Sequence, residues 1–555
     1  MFSEDILLNV FGQLLADTPH IWPVLVWVCR RWRQVVFAST LGLNLRLYCT
    51  HGTPVLKSLY CWPALPFIVQ YGGVPNIDPP APEDDDNIIA AMKQSGRVSS
   101  ISLTVTSSLL EKLSTISEPL SELEELVLLS QDNVQRTLPS TFLWGPRLRT
   151  LHTTGVSFPS LPPLLLPCQD LVDLHLHEIP SSGFPPEAFT NALFGTPQLR
   201  SLTLHLLSFP RRRSLLSLPP LEGGRVVLPA LICFRYRGTS KYLDSLVARI
   251  DAPHLGDLDI TLFNQPTMDA RQLGCFIERI EMHTSFSHAE VENSADAISV
   301  AFTDSSASTR LRLQVSCKQL DWQLSAMAQV CHSFSPFLFR ISDLGTNMTK
   351  LSSGNDAVDG EQWRELVRSF SGTRDVSVAG EAATDILFAL SPGDGGATNN
   401  PTVLPILQNI HVRVPESIDE QFRDAALPFI TSRRLSGRPV ELRFLCHICV
   451  TSFTRQQELK THLVDKHAYR IMCSYCGDFE HKRRYQERHD HFLFRDHLEG
   501  KHPEVARNDE LFSNPFSTLS LPSELEALVS RHSSLRAPII TADTEPDPWG
   551  YIQGP

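Results

Sequence analysis

The chain has 555 residues, of which 42% are hydrophobic and 20% charged, close to an ordinary globular average, which excludes wholesale disorder, collagen and a continuous coiled coil. Its 49 Lys and Arg against 61 Asp and Glu give a formal charge of -12, so nucleic acid or an anionic membrane is not met by the whole surface, only by a local patch. At roughly 150 residues per domain the length holds three or four domains, or one long repeat array with modules at its ends.

The apolar run near the start, Ile21 to Val28, is interrupted by Pro23 and falls far short of the roughly 18 residues that a membrane-spanning helix needs. Glu4 and Asp5 stand where a secretory leader is basic, so the expectation is an intracellular protein, cytoplasmic or nuclear, with no membrane partner. The cysteines agree with a reducing compartment. Of the 12, those from Cys29 to Cys331 are scattered, and the last four form two C-x2-C pairs suited to metal thiolates.

Ile6, Leu7, Val10, Phe11 and Leu14 fall on one face at helical spacing, with Glu4 and Asp5 at the positive end of the helix dipole. A break at Asp17-Thr18-Pro19 leads to a second apolar stretch, Trp22 to Val28, which runs into Cys29-Arg30-Arg31-Trp32-Arg33-Gln34-Val35-Val36. The E-D-I-L-x-x-V-F opening and the V-C-R-R-W-R segment resemble the F-box, the short helical module by which substrate receptors hold the Skp-type adaptor of cullin-based ubiquitin ligases. The resemblance covers residues 2–45 and implies adaptor binding there. The Leu-Pro pair usual ahead of the acidic residue is replaced by Met1-Phe2-Ser3.

Residues 46–97 read as a linker leading into a repeat array. Within it, Glu83-Asp84-Asp85-Asp86 follows Pro79, Pro80 and Pro82 and reads as an acidic solvated turn or a helix start. From residue 98 the pattern L-x-x-L-x-L recurs at Val98/Ile101/Leu103, Leu123/Leu126/Leu128, Leu148/Leu151/Thr153, Leu171/Leu174/Leu176 and Leu199/Leu202/Leu204. The middle residues are 25, 25, 23 and 28 apart, inside the 20 to 29 of a leucine-rich repeat. The signature returns at Leu231/Phe234/Tyr236 after an insertion holding Arg211-Arg212-Arg213, and at Leu255/Leu258/Ile260. It then weakens through Ile298/Val300 and Leu311/Leu313 and is last seen at Leu407/Ile410/Val412.

Each motif predicts one short parallel strand with its leucines inside, and a return by a helix or irregular turn, such as Leu109 to Leu113, on the other face. No Asn or Cys recurs after the second leucine pair, so the array predicted for residues 98–430 is an irregular solenoid with a concave surface for a protein target. Arg211 to Arg213 read as a solvated loop. His175, His177 and His205 are placed near strand ends and read as solvated or core histidines. None has a nucleophile context, so no catalytic residue is assigned and the chain reads as a non-enzyme.

V-C-R-R-W-R, then Leu45-Arg46-Leu47-Tyr48-Cys49-Thr50-His51-Gly52-Thr53-Pro54-Val55, then Trp62-Pro63-Ala64-Leu65-Pro66, is a succession similar to the basidiomycete fungal F-box-like proteins. That resemblance runs to about residue 430 and implies a receptor rather than a reaction.

Cys446-x2-Cys449-x12-His462-x4-His467 has the spacing of a two-Cys two-His zinc finger, with Phe453 and Leu459 at its core positions. Two thiolates on a hairpin and two imidazoles one helical turn apart suit tetrahedral zinc. A second zinc site is predicted at Cys473, Cys476, His497 and His502, because His497-Leu-Glu-Gly-Lys-His502 repeats the form of His462-Leu-Val-Asp-Lys-His467. Its loop is long, and His489 and His491 are the second choice of histidines.

In a base-reading finger, Arg455, Glu458 and Thr461 hold helix positions -1, 3 and 6. Ala468-Tyr469-Arg470-Ile471-Met472 replaces the usual interfinger linker, and residues 440–505 carry 11 Lys and Arg against 10 Asp and Glu. His481-Lys482-Arg483-Arg484 and Arg488 are the basic patch available for phosphates. A zinc-finger nucleic-acid binder with the array as scaffold is therefore the alternative reading.

The tail, 506–555, is expected to be flexible apart from a helix around Glu524 to Val529. The predicted whole is an α/β multidomain chain: an F-box-like helical segment (1–45), a leucine-rich-repeat array (98–430) and tandem ββα zinc fingers (444–505). Its expected function is that of an intracellular zinc-binding substrate receptor.

Overall fold

The computed structural model describes residues 3 to 483 apart from short intervals, the longest of them 72–81, 208–223, 349–359 and 392–402. The chain divides into two compact units. The first is Met1–Ser377 with Glu381–Gln408 and Glu420–Pro439, and the second is Val378–Gly380 with Asn409–Asp419 and Val440–Pro555.

The first unit opens with helices Glu4–Asp17, Trp22–Val28 and Arg30–Ala38. The sequence predicted the second apolar stretch to run straight into the arginines, but Cys29 is extended, at φ -161° and ψ 167°, and ends one helix while its Sγ caps the next by accepting from Trp32 N at 3.5 Å. Arg33 Nε donates back to Val26 O at 3.0 Å and fixes the bend. Trp22 is buried, with Trp62 4.9 Å away ring to ring and its Nε1 donating to Arg46 O at 2.6 Å. That bond ties the helices to the strand that follows.

A parallel ladder begins there. Leu47–Cys49 pairs with Phe67–Tyr71, which pairs with Val98–Val105. The sheet thus starts about fifty residues before the repeat signature does, because its first strands carry Cys49, Phe67, Val69 and Tyr71 where later ones carry leucine. Glu83 to Asp86 lie in a helix, Pro82–Met92, rather than a turn. Asp85 is buried against the Lys112 ammonium at 3.3 Å, and Asn87 Oδ1 accepts from Val55 N at 2.7 Å.

From there the predicted repeats stack in register. Val69, Ile101, Leu126, Leu151, Leu174, Leu202, Phe234, Leu258 and Leu311 form one row across successive parallel strands. Two residues on, Tyr71, Leu103, Leu128, Thr153, Leu176, Leu204, Tyr236, Ile260 and Leu313 form the next. No member of either row is more than 2% exposed. Successive strand residues point to opposite faces, so one face is all core and the other is mainly polar, with Val127, Leu129 and Phe263 among its apolar members. Returning helices such as Ser107–Leu113, Pro186–Leu193, Ser240–Val247 and Arg271–Arg279 bury Leu113, Leu193, Leu246 and Phe276.

Where a regular side-chain ladder is absent, the main chain supplies the link between repeats. Glu124 N donates to Ser99 O, Arg149 N to Glu124 O, Val172 N to Arg149 O, Arg200 N to Val172 O, Ile232 N to Arg200 O and Gly256 N to Ile232 O, all at 2.7 to 2.8 Å. Each strand is thereby entered from a fixed peptide of the strand before.

The prediction of one parallel strand per motif fails after Phe263. Asp257–Phe263 pairs in parallel with Arg310–Ser316, not with the next strand in sequence. Ala297–Thr303 lies antiparallel to Arg310–Ser316 and to His288–Asn293, and the last of these pairs in parallel with Asp343–Met348. The chain thus skips two places and returns by hairpins. This explains the fading signature: Ile298, Val300 and Phe302 and Leu311, Leu313 and Val315 alternate with a period of two, the pattern of antiparallel strands, instead of keeping the L-x-x-L-x-L beat.

Thr153 is the one aliphatic hydroxyl in the second row, and its buried Oγ1 has no hydrogen-bond partner among the described residues. Thr153→Val keeps the shape and removes the unpaired oxygen, and is expected to stabilise the unit by about 1 kcal/mol. The check is the urea midpoint followed by circular dichroism, and a midpoint at or below wild type contradicts this account.

In the second unit, Asn409–Arg413 pairs in parallel with Glu441–Leu445, and Ser452–Phe453 pairs antiparallel to Glu441–Leu445. A further hairpin joins Tyr469–Met472 to Glu480–Arg483.

Candidate functional site

The first helix has two apolar stripes rather than the single face predicted. Adjacent helical residues are about 100° apart, so Leu7, Phe11 and Leu15 turn inward and are buried, whereas Ile6, Val10 and Leu14 turn outward and are exposed. Phe11 meets the Trp32 ring at 4.8 Å. On the second helix Leu25 and Val26 are buried, while Val24, Trp27 and Val28 are exposed. Ser3 caps the first helix, its Oγ accepting from Ile6 N at 3.4 Å, and Glu4 and Asp5 occupy the first turn. The result is an apolar outer surface on a short, well-capped helical unit, an arrangement suited to docking a partner helix.

In the second unit the structure places part of the first predicted zinc site. Cys446 follows strand Glu441–Leu445, is buried, and its N–H donates to Thr451 O at 2.9 Å. The hairpin sets Phe444 opposite Phe453. The Phe453 ring is 4.8 Å from that of His462, and Leu459 is buried. Glu458 accepts from Thr454 Oγ1 at 3.3 Å.

Cys449, His467, Cys473, Cys476, His497 and His502 lie outside the described residues, as do His489, His491, Arg455, Thr461, Arg484 and Arg488. Arg211 to Arg213 and the predicted helix at Glu524 to Val529 lie outside them too. Tyr469 to Met472, read from the sequence as a replaced linker, is a strand whose partner begins at Glu480, so Cys473 and Cys476 fall in the segment joining the two.

His175, His177 and His205 do not stand near strand ends. They lie within strands Asp173–Pro180 and Ser201–Leu207, on the face opposite the leucine rows, and His152 joins them from strand Thr150–Thr154. The signal that finds them is the repeat register itself: His152 and His175 each follow a middle leucine by one residue.

No family model matches the chain, and no curated protein matches it. Among solved structures the chain is similar to the leucine-rich repeat-containing protein LegL7 from Legionella pneumophila, at 12% identity and a TM-score of 0.23, over 71% of this chain and 98% of that one. At that score the likeness carries no argument, and the leucine-rich-repeat-like fold stands on the register described above. No helix among the described residues is long and apolar enough to cross a membrane.

Proposed function

We propose that the chain is an F-box-type substrate receptor of a cullin-based ubiquitin ligase, an intracellular protein of cytoplasm or nucleus. Residues 2–45 hold the Skp-type adaptor, the polar face of the ladder takes a protein target, and the zinc modules add a second recognition element. The chain itself performs no reaction on this reading, because ubiquitin transfer belongs to partner subunits.

The observation that carries the proposal is the outward apolar stripe. On the first helix Val10 is 52% exposed, with Ile6 and Leu14 also exposed, and on the second Trp27 is 69% exposed, with Val24 and Val28 also exposed. Six large apolar side chains within the first 28 residues are costly to hydrate, and burying the exposed part of each, about half, against a partner returns about 1 kcal/mol. Their carriers also hold the residues that resemble the F-box.

The test is co-purification of the full chain with a Skp-type adaptor in zinc-containing buffer. Val10→Glu and Trp27→Glu alter exposed positions, so circular dichroism and the melting temperature are expected to stay at wild-type values while adaptor capture drops more than 10-fold. Equal capture by both variants and wild type, or no capture by folded wild type, overturns the proposal.

Zinc is the cofactor of the same reading. Two thiols and two imidazoles, Cys446, Cys449, His462 and His467, are its donor set, and the contact of Phe453 with His462 supplies the small apolar core such a site organises. The second set is Cys473, Cys476, His497 and His502. Elemental analysis is expected to find about two zinc ions per chain retained at these modules and about one in Cys446→Ser.

A further inference from the structure

The polar face of the ladder is not uniform. On three neighbouring parallel strands, Thr150–Thr154, Asp173–Pro180 and Ser201–Leu207, it carries four imidazoles: His152, His175, His177 and His205. His152 is the register partner of His175, and His177 lies two residues further along the same strand as His175. Ring centroids are 5.7 Å apart for His152 and His175, 5.1 Å for His152 and His177, 6.4 Å for His175 and His177, and 4.3 Å for His177 and His205.

These rings are held in the form that ligates metal. Burial, reinforced by neighbouring imidazoles, pushes His152 down to about 4 and His177 to about 3, and burial together with Arg237, Arg235 and the neighbouring imidazoles pushes His205 to about 4. Burial also lowers His175, against the pull of Asp173. All four are therefore neutral at pH 7, each with one ring nitrogen bearing a lone pair. His175 Nδ1 is bonded to Thr203 Oγ1 at 2.9 Å, which fixes that ring and leaves Nε2 available. Of the two nearby cations, Arg235 is paired with Asp257 at 3.8 Å and Arg237 lies over the Phe263 ring at 5.8 Å.

We propose that His152, His175, His177 and His205 form a binding site for a borderline divalent transition-metal ion, zinc above all, that staples three repeats of the ladder. Four imidazoles around a tetrahedral ion, with nitrogen about 2.0 to 2.1 Å from the metal, place their ring centroids about 5 Å from one another. His152, His175 and His177 stand 5.1 to 6.4 Å from one another, near that figure, and His205 meets His177 at 4.3 Å. Among the described residues no group of three or more His, Cys, Asp or Glu side chains is placed to hold a metal ion, so the site requires His152, His177 and His205 to rotate toward the fixed His175 ring. Side chains on neighbouring strands at registered and diagonal positions have Cβ atoms about 5 to 8 Å apart, within reach of such rotation. The donor set is all nitrogen, which separates this site chemically from the thiolate modules of the second unit.

The test uses the full chain stripped of metal and then given only the zinc its Cys/His modules take, two equivalents for wild type and one for Cys446→Ser. Further zinc is then titrated by calorimetry, with metal content measured in parallel. One additional equivalent is expected, retained in Cys446→Ser and weakened at least 10-fold in His177→Gln/His205→Gln.

A second measurement needs no variant. Diethylpyrocarbonate modification of the wild-type chain, mapped by mass spectrometry, is expected to show zinc-dependent protection of the peptides holding the four histidines. No additional equivalent in the wild type, an equivalent that survives the double substitution, or labelling of those peptides that zinc leaves unchanged overturns the site.

Discussion

Leu202→Ala is expected to destabilise the first unit by about 3 to 4 kcal/mol, the middle of the range for a large-to-small change at a core position. Leu202 is fully buried and stands between Leu174 and Phe234 in the first row of the ladder. Both lateral neighbours are held by parallel pairing, and the main-chain bonds from Arg200 N to Val172 O and from Ile232 N to Arg200 O fix the strand from its entrance. A cavity there has little means of collapsing, so the loss of transfer free energy and the cavity cost add. In a stacked array each unit leans on its neighbours, and hydrogen exchange is expected to quicken across strands Asp173–Pro180, Ser201–Leu207 and Cys233–Gly238 together. A fall in unfolding free energy below about 1 kcal/mol in a urea titration, with exchange unaltered, means that the row is not the core described.

Gly372→Ala is the second large effect, and it acts through the main chain. A methyl group on Gly372 overlaps the Phe339 carbonyl oxygen and lies 2.6 Å from its carbon and 3.2 Å from its Cα. All three are backbone atoms, so no side-chain rotation relieves the clash, and the close approach itself requires glycine. The segment has no slack to give: Thr373 is fully buried with its Oγ1 donating to Ile341 O at 3.3 Å, and Arg374 N donates to Ser342 O at 2.8 Å. A cost of about 3 kcal/mol or more is expected, at or beyond the usual range for overpacking. Gly96→Ala is the control, with nothing within 4 Å of the added carbon, and is expected to leave the melting temperature unchanged. Equal melting temperatures for the two variants contradict the geometry.

How much of this was legible in the sequence depended on whether a feature left a period behind. Ile101, Leu126, Leu151, Leu174 and Leu202 announced their own register, because burial on one face of a parallel strand selects similar apolar residues at each turn. The strands at Leu47–Cys49 and Phe67–Tyr71 were not announced, since Cys49, Val69 and Tyr71 fill the same places without leucine. Nor was the reordering after Phe263: alternation in Ala297–Thr303 and Arg310–Ser316 marks strands but says nothing of which neighbour each one takes.

At the candidate docking surface, spacing gave a helical apolar face but not its division into an inner stripe at Leu7, Phe11 and Leu15 and an outer one at Ile6, Val10 and Leu14. Only packing against Trp32 decides which side is covered. Of the four histidines, His175, His177 and His205 were read from the sequence and His152 was not. Their gathering is a property of register between strands about 25 residues apart, which no local window contains.

The main-chain relay that enters each strand bears on how such a chain can vary. Its donors and acceptors belong to Ser99, Glu124, Arg149, Val172, Arg200, Ile232 and Gly256, a set with no shared side-chain chemistry. Selection on this lattice falls on peptide groups, which every residue but proline supplies in full. The steps between those residues run from 23 for Arg149 to Val172 up to 32 for Arg200 to Ile232, where the 208–223 segment intervenes. The array can therefore accept loops of new length and composition between strands without losing its pitch. Its outer surface is open to evolutionary diversification at positions where a repeat keyed to particular side chains would be held constant.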